Sequence, residues 1–345
     1  MKKIVYFTPR PFSLIFGGTE VQATKTKAHV QANGYKVEFA DYTSMYQFND
    51  VSLVHFFTSD YIFWDIAQIL LKKRIPYVVS SIYYPIGVTA QLTRLARRIP
   101  RTSFWMKRRL LENAAAILPN SNSEAKRLTT TLGIRRNRMY IIPNGVDSSI
   151  VGSNPAAFRK SCLPTPIQNH DFILSVGRLE ERKNTLALTR AALELKIPLV
   201  LIGNLTCGDP YSSKLSSIID ARNDLICHIP ALPPESETLA NGYAAAKVHA
   251  LVSWFETPGL SSLEAAANGA NLVVGRCAPV EEYFAGHSYI ANPGSDADIR
   301  LQVQRAMSAP RDHFGQSEWT LKTFSWAEVG VCTSRVYNRV LEEID

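Results

Sequence analysis

Two glutamates bracket the stretch ETPGLSSLE, Glu256 at its start and Glu264 at its end, with Pro258-Gly259 between them. Pro and Gly together end a strand and open a helix, and SSLEAAANG reads as that helix, stopped at Asn268-Gly269. Glu256 then sits on the loop and Glu264 about one turn inside the helix, so the two acids need not share a face. Backbone N–H groups of Gly259, Leu260 and Ser261 at such a helix start form an anion cradle. A carboxylate within the helix can accept from two vicinal hydroxyls, as the acidic residue of dinucleotide sites does with ribose. Taken singly, either glutamate is more often a solvated loop or helix acid.

A second stretch, SVGRLEERKNTL, places Arg178 just after a strand and Lys183 five residues later at the entry to a helix. Two fixed cations at a strand's carboxyl edge suit a diphosphate, which Arg meets as a fork and Lys as a point charge. Surface pairing with Glu180 and Glu181 is the commoner role of such a pair. Near the N-terminus, TPRPFSLIFGGTEVQA sets Gly17-Gly18 directly before a helix that Thr19 can cap. Glycines there let backbone N–H groups approach a phosphate or sugar, although a plain turn explains them as well. The pattern is neither a Walker loop nor G-x-G-x-x-G, which argues against a nicotinamide dehydrogenase.

Residues so far apart in the chain meet only if sheets collect them at one edge. At 345 residues the chain has the length of two domains, with 46% apolar and 20% charged residues to build their cores. Apolar, β-rich runs alternate with helix-periodic segments, which predicts parallel α/β architecture. In the first half the strands are 3–8, 35–40, 51–57, 76–80, 115–118 and 139–142, with a helix over 19–32 closed by Asn33-Gly34. PNGVD (143–147) and a Ser, Gly, Asn and Pro-rich passage to Pro166 read as a linker. Strands resume at 172–177, 198–203, 225–229, 248–253 and 271–275. The simplest assembly is two nucleotide-binding-type domains facing across a cleft, with ligands at the strands' carboxyl ends.

Five scattered cysteines form no C-x-x-C pair, so neither a zinc site nor a disulfide framework is expected, and a reducing cytoplasm fits. The most membrane-like window, 53–71, carries His55, Asp60 and Asp65, and each Asp near a bilayer centre costs about 2.5–3.5 kcal/mol, so no spanning helix is expected. The formal charge of +8 matters most at 94–109, RLARRIPRTSFWMKRR, where seven basic residues surround Leu95, Ile99, Phe104, Trp105 and Met106 without an acid. Such a basic and aromatic element suits anionic headgroups or phosphates. A solvated helix whose long side chains cover apolar surface is the bland alternative.

Taken together, ETPGLSSLEAAANG, VGRLEERKN and IIPNGVD closely resemble the signature of the family-4 retaining glycosyltransferases, which have the GT-B fold. The Gly17-Gly18 loop and the closing FSWAEVGVCTSRVYNRVL (324–341) resemble the family in kind and order. The resemblance spans essentially the whole chain and is most specific in its C-terminal half. It implies an N-terminal Rossmann-like acceptor domain over 1–147, a nucleotide-sugar donor domain over 148–323, and a C-terminal helix over 324–345 crossing back to the first domain, where Trp326 and Tyr337 pack. Carried over residue by residue, Arg178 and Lys183 hold the diphosphate, Glu264 the ribose hydroxyls, and Glu256 the transferred sugar with Gly259, Leu260 and Ser261. Gly17, Gly18 and Asn144 join the donor set, and the base lies near Ile229. Breaking a sugar–phosphate bond puts negative charge on the leaving diphosphate, and pre-placed cations and helix N–H groups lower that barrier. The expected chemistry is therefore metal-independent, with no cofactor besides the nucleotide-sugar substrate.

The chain departs from its relatives in one place of consequence. Many of them carry a histidine in the loop after the fourth strand, whereas this chain reads VVSSIYYPIG, with Ser80, Ser81, Tyr83 and Tyr84 in that region. His55, one strand earlier, reads best as a satisfied core histidine. In RCAPVEEYF, Ala278 and Pro279 stand where relatives commonly have a glycine, and Glu282 is a candidate contact. The expected activity is retaining transfer of a hexose from a GDP- or UDP-sugar to a saccharide, lipid-linked or part of a growing surface polysaccharide or lipopolysaccharide. Peripheral contact of 94–109 with the inner face of the cytoplasmic membrane is expected, and no nucleic-acid partner. The rivals are a GT-B sugar-nucleotide epimerase and a non-catalytic nucleotide-sugar-binding subunit.

Overall fold

Runs of β-branched and aromatic residues become strands wherever both faces can be covered, and here that yields parallel sheets. The computed structural model describes residues 1–10, 17–41, 43, 48–85 and 87–343. The chain divides into two units, one of Met1–Gly145 with Trp326–Asp345 and the other of Val146–Ser325.

The first unit holds β1 (Lys3–Phe7), β2 (Lys36–Phe39), β3 (Val51–Phe57), β4 (Tyr77–Ser80) and β5 (Ala116–Leu118) in the order β2-β1-β3-β4-β5, all pairs parallel. The expected strand at 139–142 makes only a single bridge, Met139 to Ile117, because its neighbour β5 is three residues long and offers no further ladder. The helix Gly18–Ala32 stops at Asn33 as its sequence predicts, but Thr19 is not its cap. Gly17 takes that position, and its N–H donates to the Glu20 carboxylate at 3.0 Å.

The last helix, Trp326–Glu342, packs on Gly18–Ala32 and buries Trp326 and Tyr337. Gly145 of the PNGVD turn lies beneath its start, where a Cβ would come within 2.7 Å of the Trp326 nitrogen. A buried chain of hydrogen bonds ties this helix to the sheet: Tyr6 Oη to Tyr337 Oη at 2.9 Å, Tyr337 Oη to His55 Nδ1 at 2.6 Å, and His55 Nε2 to Ser80 Oγ at 2.9 Å. His55 is thus the satisfied core histidine its sequence context suggests. Burial pushes its pKa down to about 3, so it is neutral.

The second unit holds β6 (Ile173–Val176), β7 (Leu199–Ile202), β8 (Ile226–Ile229), β9 (Val248–Leu251), β10 (Asn271–Gly275) and β11 (Tyr289–Ala291), ordered β11-β10-β9-β6-β7-β8 and parallel throughout. Sequence reading misses β11, a three-residue edge strand followed at once by Asn292-Pro293-Gly294. The linker expected up to Pro166 is also folded. Its helix Pro155–Cys162, capped by Asn154, buries Phe158, and Ile167 follows into the same core.

His249, in the middle of β9, is fully buried, and among the described residues neither ring nitrogen has a hydrogen-bond partner. Burial first, then the charge of Lys183, holds its pKa down to about 3 against an ordinary 6.5. Between those two values the unfolded chain binds a proton that the folded chain refuses, so stability falls as pH falls through that window. His249→Phe removes both the orphaned nitrogens and this linkage. The variant is expected to be no less stable than wild type at pH 7, and its advantage is expected to grow by about 2 kcal/mol on going to pH 5. Urea unfolding at the two pH values measures this, and an advantage that does not change with pH would contradict a buried neutral imidazole.

Candidate functional site

The strands β6 and β9 are neighbours, so the loops at their carboxyl ends, Gly177–Asn184 and Val252–Gly259, meet. Glycine is required where β6 and β7 finish: Gly203 has φ +157°, and a Cβ there would stand 1.9 Å from the Gly177 carbonyl oxygen. The chain then turns through Glu181–Lys183 into the helix Thr185–Leu195. Asn184, left-handed at φ 57°, fixes that turn by donating from its amide to the Val252 carbonyl at 3.3 Å and the Pro293 carbonyl at 2.9 Å.

This geometry brings Lys183 onto Glu256. Its Nζ lies 2.5 Å from Glu256 Oε2, while Ser253 Oγ donates to the same oxygen at 3.2 Å. Arg182 stands 3.6 Å from Glu256 Oε1 and donates to the Phe255 carbonyl at 2.9 Å. Glu256 is only 8% exposed, so its charge is tolerated because these donors surround it. Arg178 does not join the cluster. It is mostly exposed and lies 3.5 Å from Glu180, which also takes Arg182.

Gly259 is the N-cap of the helix Leu260–Ala267, and among the described residues no side chain caps that end. The N–H groups of Gly259, Leu260 and Ser261 therefore precede the helix's own bonding pattern, beside Glu256. A Cβ at Gly259 would meet Leu251 Cδ2 at 3.0 Å and Glu256 Cγ at 3.5 Å. Glu264, half-buried in the same helix, accepts from Tyr243 Oη at 2.7 Å, and burial holds that phenol well above its usual range. Cys277, at the N-cap position of the helix Ala278–Phe284, donates its Sγ–H to the Glu256 carbonyl at 3.6 Å, and Glu282 in that helix is exposed. Ile229 closes β8, and its carbonyl accepts from Gly203 at 3.0 Å.

In the first unit, the loop after β4 folds onto a fully buried carboxylate, Glu124. Ser81 Oγ donates to Glu124 Oε1, the Tyr83 N–H donates to it at 2.8 Å, and the Asn120 N–H reaches Oε2 at 2.8 Å. Ile82 between them has φ 40°, a left-handed conformation that a β-branched residue holds only when its surroundings force it. Ser81 and Tyr83 are buried, Tyr83 Oη meeting Thr131 Oγ1 at 2.9 Å, so both side chains are engaged within the unit in holding the loop. Tyr84 is half-buried and bonds Ser121 Oγ at 2.6 Å under the Arg127 guanidinium. Asn144 is buried in this unit, the Gly17 N–H is taken by Glu20, and 11–16 of the glycine loop lie outside the described residues.

With that geometry in hand, comparison with known proteins decides the family. Residues 39–150 match Glycosyltransferase Family 4 and residues 164–317 match Glycosyl transferases group 1, together most of the chain. The chain belongs to the family-4 glycosyltransferases. Solved structures show its fold to be GT-B. Sucrose-phosphate synthase from Thermosynechococcus elongatus superposes with a TM-score of 0.80 at 16% identity, covering 99% of this chain and 100% of that one. HepE from Anabaena, solved in complex with UDP, gives 0.76 at 14% identity, covering 98% and 100%. Among curated relatives, the D-inositol 3-phosphate glycosyltransferase of Mycolicibacterium smegmatis is 31% identical over 175 residues, 48% of this chain and 39% of that protein. The MMP alpha-(1->4)-mannosyltransferase of Mycolicibacterium hassiacum is 22% identical over 283 residues, 77% of this chain and 66% of that protein. The chain thus spans less than half the length of the first of these relatives.

Three residues of this glycosyltransferase escaped sequence reading: Arg182, hidden in a run of charges; Tyr243, in an apolar helix; and Glu124, which reads as an ordinary helix acid. The chain also contains one Asp-x-Asp, Asp296-Ala297-Asp298, at the start of the helix Asp296–Ser308. Its acids are engaged by the protein: Asp296 with Arg190 at 2.7 Å, Asp298 with the Asn292 N–H at 2.7 Å. Glu124→Ala strands three buried donors and is expected to cost about 3 kcal/mol or more, with Glu124→Gln costing distinctly less. Urea unfolding measures both, and a loss under about 1 kcal/mol for the alanine variant would show that the loop after β4 does not depend on this carboxylate.

Proposed function

We propose that this chain transfers a hexose from a GDP- or UDP-linked donor to a saccharide acceptor with retention of anomeric configuration. The observation that carries the reading is the convergence of Lys183, Arg182 and Glu256 on the uncapped start of the helix Leu260–Ala267. In the proposed reaction the bond from the anomeric carbon to the diphosphate oxygen breaks and a bond from that carbon to an acceptor hydroxyl oxygen forms on the same face. The hydroxyl proton passes to the departing diphosphate. Lys183, helped by Arg178 and Arg182, and the N–H groups of Gly259 to Ser261 meet the charge that develops on that diphosphate. Glu264, held by Tyr243, takes the ribose hydroxyls, and Glu256 takes the transferred sugar. The reaction so drawn needs no metal.

A structure of the same fold is solved with UDP-glucose, and a curated relative is named a mannosyltransferase, both of which support a nucleotide-linked hexose. The acceptor proposed is a lipid-linked saccharide in surface polysaccharide, lipopolysaccharide or glycan assembly, met at the inner face of the cytoplasmic membrane through 94–109. The contact proposed is peripheral; among the described residues no helix is long and apolar enough to cross a membrane.

Lys183→Ala and Glu256→Gln are expected to lower the transfer rate by about 10²–10³ each while far-UV circular dichroism stays native. Arg178→Ala, exposed and paired to Glu180, is expected to lose less. The same variants enter a thermal-shift screen of GDP-, UDP- and ADP-sugars, in which a donor at about 100 times its dissociation constant adds roughly 2.7 kcal/mol to the wild type. Undiminished turnover in both Lys183→Ala and Glu256→Gln would overturn the site assignment.

A further inference from the structure

The aromatic and aliphatic residues of the basic segment part company in the structure. Trp105 is turned inward, edge-on to Trp64 at 5.7 Å, and both Trp105 and Met106 pack on the core of the first unit. Arg108 and Arg109 are engaged by Glu112, and Arg97 donates to the Thr131 carbonyl at 3.1 Å. What stays outside is an aliphatic stripe on the preceding helix, Gly87–Ala96. Val88 is 69% exposed, Leu92 48%, Leu95 76% and Ile99, in the turn that follows, 55%. These are four of the twelve large apolar side chains exposed among the described residues; the spacing of four and three puts Val88, Leu92 and Leu95 on one helix face, and Ile99 follows in the turn. Thr93, on the opposite side, is buried and bonds the Thr89 carbonyl at 2.7 Å, and the helix packs against Leu128–Leu132 and Ser103–Glu112.

The flank of the stripe is cationic. Arg94, Arg98 and Arg101 are exposed, and no carboxylate pairs with them among the described residues. From Asp65 to Glu112 the chain has no acid at all, and it carries ten basic residues. An aliphatic line bordered by unpaired guanidinium groups is complementary to acyl chains below and phosphates at their margin, with the arginine stems snorkelling between the two. We propose that the helix Gly87–Ala96 lies in the headgroup boundary of an anionic bilayer, with Val88, Leu92, Leu95 and Ile99 inserted and Arg94, Arg98 and Arg101 on lipid phosphates. This deepens the membrane part of the proposed function and rests on it; glycosyl transfer to a soluble acceptor does not require it.

The test is co-sedimentation of the full chain with vesicles of phosphatidylcholine, alone or mixed with phosphatidylglycerol. The wild type is expected to bind the mixed vesicles and scarcely the neutral ones. Leu92→Glu/Leu95→Glu is expected to lose about tenfold or more in binding, and Leu95→Trp to gain. Neutralising Arg94, Arg98 and Arg101 to Gln is expected to cost about fivefold per charge. All five side chains at 92, 94, 95, 98 and 101 are exposed, so melting temperature and the donor thermal shift are expected to match wild type in every variant. If Leu92→Glu/Leu95→Glu binds mixed vesicles as well as wild type does, charge alone docks the protein and insertion is overturned. If the wild type binds no vesicle but forms a dimer that Leu92→Glu/Leu95→Glu splits, the stripe is a self-association face and the proposal fails. In either case an intact donor thermal shift leaves the transferase reading standing.

Discussion

A carboxylate removed from water must be surrounded by donors or lose its charge, and the second unit is arranged around meeting that demand at Glu256. Lys183, Ser253 and Arg182 reach it from two strand ends, and they do so only because β6 and β9 are adjacent. Close approach of backbone at Gly177 and Gly203 packs the end of β6 against the end of β7. Asn184 then holds the Lys183 turn against Val252 and Pro293, and Gly259 leaves room for the carboxylate beside the helix start. Truncating Glu256 would leave an ammonium without its partner, which is why a change here acts on the geometry of the whole strand edge and not on one contact.

Much of this was legible in the chain, for a physical reason. Parallel strands covered on both faces leave continuous apolar runs, so ten of the strands could be placed from hydrophobicity alone, and the helix start at Pro258-Gly259 follows from the chemistry of those two residues. The failures have causes too. Tyr289–Ala291 is too short to carry a pattern, and 139–142 has the pattern but only a three-residue neighbour to pair with. The passage after PNGVD looked like linker because its turn residues outnumber its apolar ones, yet Phe158 and Ile167 suffice to anchor it.

Site residues were legible where a motif displays them and illegible where burial assigns the role. Arg178 and Lys183 look alike in sequence, but a single turn sends Lys183 to Glu256 and leaves Arg178 in solvent beside Glu180. Ser81 and Tyr83 resemble loop residues open to a ligand, and only the structure shows them turned onto Glu124. In the basic segment 94–109 the sequence mixes apolar and charged residues, and only the structure separates them: Trp105 and Met106 pack on the core, while Leu95 and Ile99 stay outside with Val88 and Leu92 upstream.

The buried chain from Tyr6 through Tyr337 and His55 to Ser80 has one further consequence. A neutral imidazole holds a single ring proton, and each hydroxyl holds one and can accept two, so the His55 tautomer fixes its partners. With the proton on Nε2, Tyr337 must donate to Nδ1 and Tyr6 to Tyr337; with the proton on Nδ1, Tyr337 must accept and Ser80 must donate to Nε2. The proton order is collective: the tautomer of His55, in the middle of the first sheet, is settled jointly by the mouth of β4 and by a tyrosine eight residues before the end of the chain. The C-terminal helix therefore does more than cover a face of the sheet; it takes part in deciding which way the hydroxyl at the foot of the Ser81 loop can give its proton.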